Sequence, residues 1–270
     1  MKNKIIVPTD LTKAAQQAIR QATAIARKTG STITLFHVMD NKSSPLQEVK
    51  QALDNEAENI SRNTGVNCDI LIKEGNLFEV TSYVACEKEH DLMVIGTHGI
   101  KGIRQMLFGA NILKLVVKVP FPVLVVQETS PLIESFHKVV LPVSSHEAFR
   151  SALDAIVFFA GIYDMEVHLY SIHKAGFPWS DQLLKNIEEA SNLLQSNGVG
   201  MVRVKEEQQV YSLGYSKQTI KYAQSINADA LLMISVPTEE YYYFAPSDKE
   251  AMLLNEYTIP VICTGGGKCI

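Results

Sequence analysis

The stretch that decides the fold is Lys4-Ile5-Ile6-Val7-Pro8, because it recurs as Lys138-Val139-Val140-Leu141-Pro142, 134 residues later (138 − 4). Three further segments recur in the same order, at the same spacing or at four residues more: 32–38 as 166–172, 91–95 as 229–233, and 122–125 as 260–263. Four ordered matches indicate that the chain contains two diverged copies of one unit.

Each copy alternates short apolar runs with helical patterns. In the first copy we expect strands near 4–8, 32–38, 67–73, 91–96 and 122–127. Helices are expected over the amphipathic stretch that ends before Gly30, a residue suited to a left-handed C-cap, and over 45–64, 77–89 and 109–119. The strands are continuously apolar, as they are when helices cover both sheet faces. The chain is therefore predicted to be α/β, with two tandem doubly wound, five-stranded parallel-sheet domains, 1–130 and 131–270, joined by the polar connector Glu128–Pro131.

Composition narrows the class of function. The chain is 46% hydrophobic and 20% charged, with a formal net charge of −4, which is globular and argues against a nucleic-acid partner. No apolar run approaches a membrane span or a signal peptide. The four cysteines show no CxxC pairing, which disfavours structural zinc and a disulfide scaffold. We therefore expect a cytoplasmic protein with neither a membrane nor a nucleic-acid partner.

A glycine-rich loop follows the fourth strand of the first copy. It reads Gly96-Thr97-His98-Gly99-Ile100-Lys101-Gly102, and Gly109-Ala110-Asn111 then opens the last helix. Glycines let backbone N–H groups approach an anion, and a helix N-terminus adds donors and a favourable dipole. No Walker motif and no GxGxxG after the first strand occur. The alternative for this loop is a crossover without a ligand.

These residues carry a resemblance to a known family. Val-Pro-Thr-Asp at the first strand, glycines at 96, 99 and 109, and Pro-x-Pro-Val-Leu-Val-Val at the last strand resemble the universal stress protein family. The resemblance implies an adenine nucleotide alpha-hydrolase-like fold and, in its ATP-binding branch, a bound adenine nucleotide, ATP or AMP, with or without Mg. It implies that Asp10 contacts the sugar, that the Val38 backbone contacts the base, and that the glycines contact the phosphates. The implied nucleotide-binding residues are Pro8, Thr9, Asp10, Val38, Gly96, Thr97, His98, Gly99, Gly102, Gly109, Ala110 and Asn111.

One departure from the family pattern affects this site. The family has Gly-Ser or Gly-Thr where this chain has Gly109-Ala110. Ala110 keeps a backbone N–H but lacks the hydroxyl, a loss of about 1.5–3 kcal/mol for a hydrogen bond to a charged group. Weakened, selective and lost ATP binding all stay open at this point. Asp10 also has a second reading, as a cap of the first helix alongside Thr12.

The second copy lacks the loop. Its counterparts of Gly96, Gly99, Gly109 and Asp10 are Ile234, Pro237, Ser247 and Ser144. The run Tyr241–Phe244 beside this position is read as a plug or an interface, or as a stacking surface for a planar ligand. By the resemblance, family members dimerise through their last strands, so the strands near Pro122 and Pro260 are expected to pair within this chain, which protects two sheet edges.

Three functions follow from these patterns. The first is a cytoplasmic stress-response protein that binds an adenine nucleotide in its first domain and acts through conformation or partner binding, with further homodimerisation left open. The second is a ligand-free tandem interaction scaffold. The third, ranked last, is a slow ATPase, because the sequence offers no evident general base, nucleophile or metal-binding carboxylate cluster, so no catalytic residue and no metal ligand is assigned.

Overall fold

A computed structural model of the chain describes residues 4–39, 45–87, 89–97, 109–173, 176, 178–207, 215–236 and 246–264. The first half contains β1 (Lys4–Pro8), α1 (Lys13–Thr29), β2 (Thr32–Met39), α2 (Leu46–Thr64), β3 (Cys68–Glu74), α3 (Leu77–Cys86), β4 (Leu92–Thr97), α4 (Gly109–Val116) and β5 (Val123–Gln127). The second half contains β6 (Lys138–Pro142), α5 (Phe149–Ala160), β7 (Glu166–His173), α6 (Asp181–Ser196), β8 (Gly200–Glu207), α7 (Tyr215–Ser225), β9 (Ala230–Ile234), α8 (Pro246–Leu253) and β10 (Val261–Thr264).

The ten strands form one sheet in the order β3-β2-β1-β4-β5-β10-β9-β6-β7-β8. Each half contributes five parallel strands in the same internal order, so the four matched sequence segments occupy matched places in the sheet. The doubly wound α/β fold predicted from the sequence is confirmed. The two halves meet at β5 and β10, which run antiparallel with Leu124 opposite Ile262.

Helices cover both faces of the sheet, as the continuously apolar strands predict. Alternate residues of β4 belong to opposite cores, with Leu92 and Val94 in one and Met93 and Ile95 in the other. The first core receives side chains from α1, α2, α5 and α6, and the second from α3, α4, α7 and α8. Because each core spans both halves, the halves share their hydrophobic stabilisation across the β5–β10 junction.

Local signals set most helix ends. Gly30 adopts φ 69° and its N–H bonds the Ala26 carbonyl, as expected for the C-cap of α1. Helix α4 is shorter than the predicted 109–119, because Lys118 and Val119 bond carbonyls only three residues back and Pro120 follows. Helix α3, predicted to reach 89, ends at Cys86, where the Glu87 N–H is shared between two carbonyls.

Polar side chains also join the two halves. Gln127 Nε2 donates to the Asn255 carbonyl at 2.8 Å, and Ser130 Oγ donates to the Thr258 carbonyl at 2.6 Å. Gln21 of α1 bonds both the N–H and the carbonyl of Ile133. The connector around residues 128–133 is thus held by both halves. Within the described residues, no helix combines the length and hydrophobicity needed to cross a membrane.

Candidate functional site

The turn between β1 and α1 lies at the carboxyl edge of the sheet, where ligands of open α/β folds bind. The Thr9 N–H bonds the Phe36 carbonyl at 2.8 Å, which extends the β1–β2 pairing past Pro8. Asp10 Oδ1 accepts from the Thr12 N–H at 3.1 Å and from Thr12 Oγ1 at 2.6 Å. Thr12 is the N-cap of α1, so Asp10 orients the cap rather than being the cap itself.

This turn holds the Asp10 carboxylate in place while leaving part of it exposed. Both of its hydrogen bonds within the described residues use Oδ1, and the side chain lies on the surface. A carboxylate has further acceptor sites on its second oxygen. Oδ2 can therefore accept hydrogen bonds from ligand hydroxyls without disturbing the cap.

The end of β2 lies beside this turn. His37 Nδ1 is 2.7 Å from the Thr9 carbonyl oxygen, and because a carbonyl only accepts, Nδ1 carries the proton. His37 Nε2 is buried and makes no hydrogen bond, so the neutral ring is only half satisfied. The next residue, Val38, is partly buried against the second core. The imidazole thus fixes the peptide that precedes Asp10.

Gly96 lies within β4 and has a packing role that the sequence did not reveal. A Cβ placed on Gly96 would lie 2.1 Å from the Ala14 carbonyl oxygen, in the first turn of α1. Helix α1 therefore approaches β4 so closely that only glycine fits there. Thr97, the next residue, is fully buried, and its carbonyl accepts from the Glu128 N–H at 2.9 Å.

The structure places several of the sequence-predicted site residues at one edge. Strand β1 lies between β2 and β4, so Pro8 to Asp10, Val38 and Thr97 sit at the ends of three adjacent strands. Gly109 to Asn111 open α4, as predicted. His98, Gly99 and Gly102 lie outside the described residues, as does the run Tyr241–Phe244 of the second half.

The corresponding edge of the second half is bridged by its own side chains. Asn186 Nδ2 donates to the carbonyl of Ser144, the counterpart of Asp10, at 2.7 Å. The Val236 carbonyl at the end of β9 accepts from Lys249 Nζ at 2.7 Å and lies 3.0 Å from His146 Nε2. These residues are all nearly inaccessible to solvent apart from Val236, which is partly buried. Burial lowers the pKa of Lys249 to about 8.

Sequence reasoning missed this network for a clear reason. Asn186 and His146 lie on different elements, and each is separated by 40 or more positions from the partners they hold. No spacing rule connects residues that far apart. The network nonetheless shows that the second half differs from the first by more than the loss of glycines.

Comparison with known proteins agrees with this geometry. A model described as the universal stress protein family matches residues 1–127. No curated protein matches the chain.

Solved structures with the same fold cover nearly the whole chain. One is a universal stress protein from Archaeoglobus fulgidus DSM 4304, 14% identical, which covers 99% of this chain and 100% of its own at a TM-score of 0.74. Another is a putative universal stress protein from Pseudomonas aeruginosa UCBPP-PA14, 17% identical, with 97% and 93% covered and a TM-score of 0.62. At these identities the likeness establishes the fold, over both halves.

Proposed function

Residues 1–127 belong to the universal stress protein family, and from that premise we propose that the chain is a cytoplasmic stress-response protein that binds an adenine nucleotide in its first half. The proposed domains are 1–130, which binds ATP or AMP, and 131–270, which binds no nucleotide and completes the shared sheet. The protein acts through its conformation or a partner rather than through catalysis.

One observation carries this proposal, namely the difference between the two carboxyl edges. In the first half, Asp10 is oriented by Thr12 and keeps Oδ2 available. In the second half, Ser144 replaces it, and Asn186 bonds the Ser144 carbonyl. A ligand hydroxyl therefore has an acceptor at one edge, whereas the other edge is internally bonded.

The residues then divide by the part of the nucleotide they contact. Asp10 accepts from the ribose hydroxyls, and the backbone of Val38 reads the base. The backbone N–H groups around Gly96, Gly99 and Gly109 face the phosphates, aided by the N-terminus of α4. Because Ala110 lacks a hydroxyl, we expect affinity about ten- to a hundredfold below that of a site with serine or threonine there.

The test begins with mass spectrometry of nucleotide released from purified protein. It continues with the shift in melting temperature at millimolar ATP with Mg²⁺. We expect an adenine nucleotide and a positive shift, both lost in Asp10→Ala and retained in Asp164→Ala, an exposed aspartate before β7 at the amino end of the sheet. No released nucleotide together with no shift would overturn the proposal and leave the tandem scaffold. Single-turnover hydrolysis faster than buffer would instead establish an ATPase.

A further inference from the structure

Three non-glycine residues of the described chain have left-handed backbone conformations: Leu11 at φ 63°, Asn227 at φ 52° and Thr258 at φ 54°. Asparagine adopts this conformation more readily than most residues. Thr258 is held by the junction, because its N–H bonds Asn255 and its carbonyl accepts from Ser130 Oγ. Both of these residues therefore have a local explanation.

Leu11 has no comparable explanation within the fold. Leucine is disfavoured in the left-handed region, where glycine or asparagine would relieve the strain. Its N–H bonds Thr9 Oγ1 at 3.1 Å, and any residue except proline would supply that donor. The side chain is 37% exposed, so a large apolar group stands partly in water at a strained position.

The position of Leu11 links the strain to the candidate site. It directly follows Asp10 and precedes the cap Thr12, within the turn that presents the free carboxylate oxygen. Backbone strain of this kind concentrates at ligand-binding turns, where the surrounding structure maintains it. The exposed surface of Leu11 is apolar, and the base is the apolar part of a nucleotide.

We propose that Leu11 is a ligand-packing residue whose exposed side chain covers a face of the nucleobase. This inference rests on the proposed function and extends it by one specificity-determining contact. Asp10 then holds the sugar while Leu11 packs on the base, so two consecutive residues fix the nucleoside independently of the phosphate loop.

The expected size of the effect follows from the exposed fraction. Covering the exposed 37% of the leucine side chain contributes roughly three- to sixfold to affinity. The same factor applies to ATP and to AMP, because the contact does not involve the additional phosphates.

The experiment is calorimetric titration of ATP and AMP into wild-type protein, Leu11→Asn and Leu11→Met. Asparagine relieves the left-handed strain and removes the apolar surface, whereas methionine keeps an apolar side chain of similar size. We expect Leu11→Asn to weaken both nucleotides by at least about threefold, with Leu11→Met within about twofold of wild type. Asn227→Gly, at a left-handed position on the α7–β9 turn, is the matched control and leaves affinity unchanged.

The outcomes separate the two proposals. Equal affinity of Leu11→Asn and wild type overturns the role of Leu11 and leaves nucleotide binding intact. Loss for ATP alone, with AMP unaffected, also overturns it, because the contact would then depend on the phosphates. If wild-type protein binds neither nucleotide, the proposed function fails and the role of Leu11 fails with it. The melting temperature of ligand-free Leu11→Asn, expected within about 4 °C of wild type, establishes that the variant is folded.

Discussion

Substituting Gly96 by alanine tests the packing on which the first-half site depends. The added Cβ would lie 2.1 Å from the Ala14 carbonyl oxygen and 2.4 Å from its carbonyl carbon. Reaching the 3.4 Å of ordinary contact requires β4 and α1 to separate by about 1.3 Å. Both contacts are with backbone, so no side chain can rotate away to make room.

The resulting cost lies at the upper end for overpacked cores, about 3 kcal/mol. For a chain of this size, that corresponds to a melting temperature lower by about 6–12 °C. Because α1 begins with the Asp10–Thr12 turn, its displacement should also weaken nucleotide binding.

Thermal and urea denaturation of ligand-free Gly96→Ala measure this cost, and Gly200→Ala is the matched control. Gly200 is also a strand glycine, but a Cβ there would come no closer than 3.6 Å to its neighbours. We expect the control to melt within about 2 °C of wild type. A Gly96→Ala protein as stable as this control would refute the close approach of α1 to β4.

The remaining predictions concern buried polar groups. Burial raises the pKa of Tyr163 to about 12 and leaves its hydroxyl without a partner, so Tyr163→Phe should be neutral or stabilising by about 1 kcal/mol in urea denaturation. Tyr170→Phe, which loses a 2.7 Å bond to a carboxylate on β8, should instead cost about 1.5 kcal/mol, and equal effects would contradict the assignment. The folded pKa of Lys249, about 8, lies below its ordinary 10.5, so the unfolded chain binds more protons between these values. Its contribution to stability therefore rises from pH 8 to 10.5, and Lys249→Met should reduce that rise. Asn255→Ala removes three side-chain hydrogen bonds at the junction and should cost about 3 kcal/mol by the same assay; a loss below about 1 kcal/mol would show that the junction does not depend on it.

The sequence predicted the features that arise from contacts between neighbouring residues. Hydrophobic periodicity placed the first-half strands to within about two residues, and Gly30 ended α1 where its left-handed conformation was required. The sequence missed the early ends of α3 and α4, because frayed turns depend on how single N–H groups are shared. The repeat itself, visible from Lys4–Pro8 and Lys138–Pro142, predicted two equivalent halves.

The tertiary structure decided the features that depend on residues far apart in the chain. Gly96 is read from the sequence as a phosphate-loop residue, yet its contact with Ala14, 82 positions away (96 − 14), gives it a packing role. The bonds that His146, Asn186 and Lys249 make at the second edge come from three elements. By itself the sequence determined that the chain repeats one α/β unit and that only the first copy keeps the glycines and Asp10. Which groups at each edge remain available to a ligand depends on distances between backbones, and only folding brings those backbones together.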